Sequence, residues 1–189
     1  MIKSSLDSLV AAQEIEVIWH SFELRPLNAP PMPPDQEQAY KERIAAAWPQ
    51  TQRTAKEVFG VEMIHHRWGV KTRLAHEGAK FAEARGHGEA YHAAIYTAHF
   101  IEDRDIGDRQ ILAEIAAEVG LDRTEFEQAL ELGAYVSEVE QDIAQARAYG
   151  LSGVPASIIE QKYLVSGGQP LAALQDIIRQ IKEKEGNGS

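Results

Sequence analysis

The chain has 189 residues, room for one domain or for one domain carrying a large insertion. Its 44% hydrophobic and 25% charged content is that of a globular protein able to bury a core. A net charge of −10, from 19 basic and 29 acidic residues, argues against nucleic acid or an anionic membrane as partner, because either would need a basic face. No run approaches the roughly 18 apolar residues of a membrane span, and residues 1–12 lack the layout of a signal peptide. The chain is therefore expected to be cytoplasmic, and with no cysteine it has neither disulfides nor thiolate chemistry.

Residues 3–12 (KSSLDSLVAA) place Leu6, Leu9 and Val10 at helical spacing and predict a short helix. Residues 14–20 (EIEVIWH) alternate charged and apolar side chains and predict a strand. Five prolines between Pro26 and Pro34 then forbid regular structure and predict an extended connector.

From Asp35 to about Tyr149 the pattern is helical. Asp35 is a candidate N-cap for a helix through Trp48, and a second helix is expected over 52–59. A third covers about 71–85, with Leu74, Ala75, Phe81 and Ala82 on one side. A fourth covers about 89–102, with Tyr91, Ile95 and Ala98 at 3–4 spacing. Asp108 caps a fifth, whose stripe is Ile111, Leu112, Ile115 and Ala116, and Gly120 ends it. Asp122 or Thr124 starts the last, with a possible break near Gly133.

At Gly150 the character changes. Residues 157–160 and 163–166 read as two short strands, with Gln161 and Lys162 in a tight hairpin turn. Pro170 opens a final amphipathic helix that turns Leu171, Leu174, Ile177, Ile178 and Ile181 inward. The tail EKEGNGS is expected to be disordered. The simplest assembly is an α/β fold in which 1–30 and 150–186 form one layer and 31–149 a helical insertion.

The segment Gly153-Val154-Pro155 carries most information. A proline cannot donate to a sheet ladder, so it belongs at the start of the strand that follows. A cis Val154–Pro155 bond there would turn the Val154 amide and carbonyl outward, an open edge for an extended peptide. A trans proline punctuating a loop is the plainer alternative.

The run Ser152-Gly153-Val154-Pro155, followed by Tyr163-Leu164-Val165-Ser166-Gly167-Gly168-Gln169-Pro170, resembles a signature of the FrnE-like branch of the DsbA family. WHSFELRP at 19–26, RLAHEGAKFAEARGHGEAYHAAIYTAHF at 73–100 and DRDIGDRQIL at 103–112 resemble that family's strand and insertion helices. The resemblance covers nearly the whole chain. It implies a thioredoxin-like sheet layer, a cis proline, and thiol–disulfide oxidoreductase ancestry. It also implies a first strand and a Cys-Pro-x-Cys motif, in which a thiolate at a helix N-terminus attacks a disulfide. Here Met1–Leu6 lines up with the stretch after the second cysteine, so the polypeptide is expected to begin inside a longer reading frame. Ser4 and Ser5 are not nucleophiles without a paired base. Without the first strand, 14–20 and 156–160 must pair directly, or another chain must cover the gap. A homo-oligomer is the preferred expectation, since apolar surface would remain behind Trp19 and Ile158.

Seven histidines raise the question of a metal. His65 and His66 are adjacent and would diverge by about 100° on a helix. His92 and His99 could share a face, with Tyr96 beside them, but no acidic partner stands at the right spacing. His76-Glu77 is not an HExxH motif, because Lys80 takes the second ligand position. In Asp103-Arg104-Asp105-Ile106-Gly107-Asp108 the glycine falls one place early for a calcium loop, and an N-cap explains Asp108 better. No metal and no cofactor is expected, and no catalytic residue is assigned. Gly153, Val154 and Pro155 are the expected substrate-binding residues. Three functions stay open: a disulfide oxidoreductase relative without redox activity, a peptide-binding or scaffold protein, and a glutathione-dependent isomerase of the 2-hydroxychromene-2-carboxylate type, which can use serine in place of cysteine.

Overall fold

A computed structural model describes residues 1–12, 14–26, 29–65 and 67–186. Eight helices and two strands follow one another among them: α1 (Ile2–Ala11), α2 (Pro34–Phe59), α3 (Arg73–Glu83), α4 (Gly88–Phe100), α5 (Arg109–Glu118), α6 (Arg123–Glu131), α7 (Val136–Ala148), β1 (Ala156–Ile159), β2 (Tyr163–Ser166) and α8 (Leu171–Gly186). Among the described residues no helix is long and apolar enough to cross a membrane.

The chain divides into two compact units, Met1–Trp19 with Gln50–Val61 and Gly153–Ser189, and His20–Pro49 with Glu62–Ser152. In the first, α1 packs on α8, and the hairpin β1–β2 shares their apolar cluster of Leu9, Val165, Leu174 and Ile178. Leu174, Ile178 and Ile181 recur at helical spacing and are the buried stripe of α8. Ile15 and Ile159 pack against the same cluster.

In the second unit α3 is the hub, in contact with α4, α5, α6 and α7. Its residues Phe81 and Ala82 are fully buried beside Tyr91, Leu112, Ile115 and Phe126. The Phe81 and Phe126 rings meet edge to face at 5.3 Å, the arrangement the aromatic quadrupole prefers. Asp108 caps α5 by accepting from the Gln110 and Ile111 amides, and Asp122 caps α6 by accepting from Glu125. Gly120, at φ +88°, takes the left-handed turn that ends α5.

Three expectations are corrected. Residues 14–20 are in no strand, although their exposure alternates as a strand's would. The period-2 pattern reports two faces, one toward an apolar cluster and one toward solvent, and it needs no hydrogen-bonded neighbour. The two expected helices at 35–48 and 52–59 are one, because α2 continues through Pro49. That ring removes one ladder bond, yet the bonds on either side hold a helix of 26 residues. The tail is helical as far as Gly186, and 187–189 lie outside the described residues. Elsewhere the break near Gly133 separates α6 from α7, and the hairpin turn is made by Glu160 and Gln161, both at positive φ, one place before the expected Gln161 and Lys162.

Candidate functional site

The three expected binding residues stand together at the head of β1. Val154 and Pro155 are exposed, Gly153 is half-buried, and the Val154–Pro155 peptide is cis. The Pro155 carbonyl accepts from the Gly167 amide at 2.9 Å, which sets the parity of the ladder. β1 and β2 pair antiparallel with Ser157 opposite Val165 and Ile159 opposite Tyr163. Hydrogen-bonded pairs recur every second residue, so Ser157 and Ile159 direct their amides and carbonyls to β2. Ala156 and Ile158 direct theirs away from it. Among the described residues β1 has no neighbour on that side. The result is a short open edge that begins at the exposed Val154 side chain.

The surroundings of Pro155 were not legible in the sequence. A Cβ placed on Gly168 would stand 3.6 Å from the Phe59 ring, 3.8 Å from Pro155 Cγ and 4.0 Å from Ile2 Cβ. These are ordinary van der Waals distances, and they place position 168 where the end of α2, the start of α1 and the proline ring converge. The SGGQP run signals a turn but not its neighbours. Gln169 closes that turn by donating to the Ser166 carbonyl.

The serines of α1 are occupied or covered. Ser4 Oγ lies 2.9 Å from the Met1 carbonyl and 3.0 Å from the Phe59 carbonyl, and Ser5 is buried. Among the described residues no imidazole or carboxylate is hydrogen-bonded to either hydroxyl, as a nucleophilic serine requires.

The other residues singled out above serve the helices. His92 Nε2 contacts Glu83 at 3.1 Å, and the His99 ring lies edge-on to Phe100. His76 and Glu77 are on α3. His66 lies outside the described residues. Asp105 accepts from Gly107 and the Asp103 carbonyl accepts from Arg67, so the 103–108 run is a helix approach.

The model of the DSBA-like thioredoxin domain matches residues 1–179. The chain belongs to that family. It is 32% identical over 160 residues to the protein YwbO of Bacillus subtilis, across 83% of this chain and 78% of that one. A probable DsbA oxidoreductase of Streptomyces coelicolor superposes with a TM-score of 0.72 at 27% identity, covering 95% of this chain and 82% of its own. A 2-hydroxychromene-2-carboxylate isomerase superposes with a TM-score of 0.79 over the whole chain and 92% of its own, and at 17% identity it shows the fold alone. The fold is therefore the thioredoxin-like α/β class of this family, rich in helix.

Proposed function

We propose that this chain binds extended polypeptide along the open edge of β1 and performs no thiol–disulfide exchange. The observation that carries the reading is the parity of the hairpin. The outward amides and carbonyls of Ala156 and Ile158, next to the exposed Val154, can continue a sheet with an added strand. Family membership and the DsbA neighbour support a polypeptide as ligand. The absence of cysteine removes the nucleophile that exchange requires. The acidic surface favours a basic peptide and a cytoplasmic setting is consistent with it. A second copy of this chain is a further candidate for the same edge, which would make the protein a homo-oligomer.

The isomerase reading rests on the fold alone, and among the described residues the hydroxyls of Ser4 and Ser5 have no base hydrogen-bonded to them. Three titrations separate the readings: a basic, unstructured peptide followed by calorimetry, glutathione followed in the same way, and insulin reduction followed by turbidity. Peptide binding with no response to glutathione or insulin is the expected result. Glutathione binding without peptide binding would transfer the case to the isomerase.

A further inference from the structure

The helical unit contains a buried polar cluster that the peptide edge does not use. Arg73, His76, Glu77 and Lys80 lie at i, i+3, i+4 and i+7 on α3 and so share one face. Residues 20–23 run antiparallel across that face. Glu23 grips Arg73 with both oxygens, at 2.9 and 3.0 Å. His76 hydrogen-bonds the backbone of Phe22. Asp142 of α7 joins the other end: its Oδ2 accepts from the Ser21 amide and from Lys80 Nζ, both at 2.8 Å, and its Oδ1 lies 2.7 Å from His20 Nδ1.

Ser21, Glu23, Glu77 and Asp142 are all more than nine-tenths buried. None of residues 20–23 belongs to the apolar core of the helices, which is made by Phe81, Leu112, Phe126 and their neighbours. The segment is fastened by charged and titratable groups, whereas a strap meant only to hold would be cheaper if apolar.

We propose that residues 20–23 form a pH-operated strap, closed over the polar face of α3 at neutral pH and released in mild acid while the helical core stays folded.

The sign follows from the groups that face His76: Arg73 on its own helix, His92 on α4, Asp142 on α7 and the Phe22 backbone on the strap. Burial, then the charges of Arg73 and His92, push the imidazole down to about 4 from an ordinary 6.5. An opened strap wets the ring, which then takes a proton at its ordinary value. Opening gains up to about tenfold per pH unit as pH falls from 6.5 toward 4. Burial alone would raise the Asp142 carboxyl, but the bonds from Lys80, Ser21 and His20 outweigh it and hold Asp142 ionised across that range. Glu77 acts in the opposite sense. Burial raises its carboxyl against the pull of Arg73 and Arg109, so the closed state keeps that proton to higher pH.

The chain contains no cysteine, so a single introduced thiol reports cleanly. Ser21→Cys places it under the strap with the backbone amide still free to bond Asp142. The measurement is its labelling rate with 4,4′-dithiodipyridine from pH 7.5 to 4.5, divided by the rate of the same chain unfolded in denaturant at each pH. The expected ratio rises at least tenfold between pH 7 and 5 with helical circular dichroism unchanged, and stays flat when His76→Gln is added. A flat ratio without that second change, a rise that follows loss of helicity, or the same rise with His76→Gln overturns the proposal. Should His76→Gln not fold, the Ser21 amide in the unaltered chain, followed by nitrogen-15 NMR, decides. It must shift with the His76 ring below pH 6.5, and independence of the two contradicts the strap.

Discussion

Gly78 on α3 lies directly beneath the hydroxyl of Tyr91, and a Cβ at position 78 would overlap that oxygen and stand 2.7 Å from the Phe126 Cζ. Alanine in place of a helical glycine ordinarily gains about 1 kcal/mol. Here both obstacles are fully buried and held by the aromatic cluster. Gly78→Ala is therefore expected to destabilise the chain by about 1–3 kcal/mol, the usual cost of overpacking. Urea unfolding measures it, and a variant as stable as the parent would mean that the rings move aside.

The same hydroxyl has no hydrogen-bond partner among the described residues, and burial raises its pKa well above the ordinary 10. An unpaired buried donor costs about 1–3 kcal/mol. Tyr91→Phe keeps the ring and removes the oxygen, so it is expected to raise stability by about 1 kcal/mol. A loss of stability in the unfolding curve would show that the hydroxyl is satisfied in solution.

Glu77 predicts a pH-dependent gain. Its carboxyl is buried, burial raises its pKa, and its folded state therefore favours the protonated form. The advantage of that form is present below the ordinary value of 4.5 and is lost as pH rises through the folded one. Glu77→Gln mimics the protonated carboxyl at every pH. It is expected to stabilise by about 1 kcal/mol at pH 7 and to approach the parent near pH 4. Equal effects at both pH values would place the carboxyl in an ordinary, solvated setting.

Ala156→Pro tests the edge without touching the hairpin ladder, since the residue's amide points away from β2. Proline is tolerated at an edge, so thermal unfolding should change little. One amide–carbonyl bond is worth about 1 kcal/mol net, and peptide affinity should fall about fivefold by calorimetry. A variant that unfolds would instead assign that amide to the hairpin.

Much of the chain was legible because its patterns are local. Asp108 and Asp122 cap the helices they precede, the stripe Leu174, Ile178 and Ile181 is buried, and the run after Gly150 is a hairpin that leads into α8. The failures come from information that is not local. Alternation in 14–20 records two environments and cannot say whether a neighbouring strand exists. The gap expected between 48 and 52 is absent, because α2 continues through Pro49. The motif points to Gly153, Val154 and Pro155, but the neighbourhood of Pro155, made by Gly168, Phe59 and Ile2, joins three distant segments. The contacts of residues 20–23 are hidden for the same reason: Glu23 and Arg73, or His20 and Asp142, share no spacing that a sequence pattern could reveal.

The central claim is that β1 offers its outer edge to an added strand. Amide exchange followed by NMR, with and without a short peptide of alternating lysine and valine or threonine, tests it residue by residue. Before addition, Ser157 and Ile159 should be protected by β2, and Ala156 and Ile158 should exchange freely. On addition, protection should appear at Ala156 and Ile158 and stay unchanged at Ser157 and Ile159. Binding that leaves Ala156 and Ile158 exchanging freely, or no binding at all, would contradict the account.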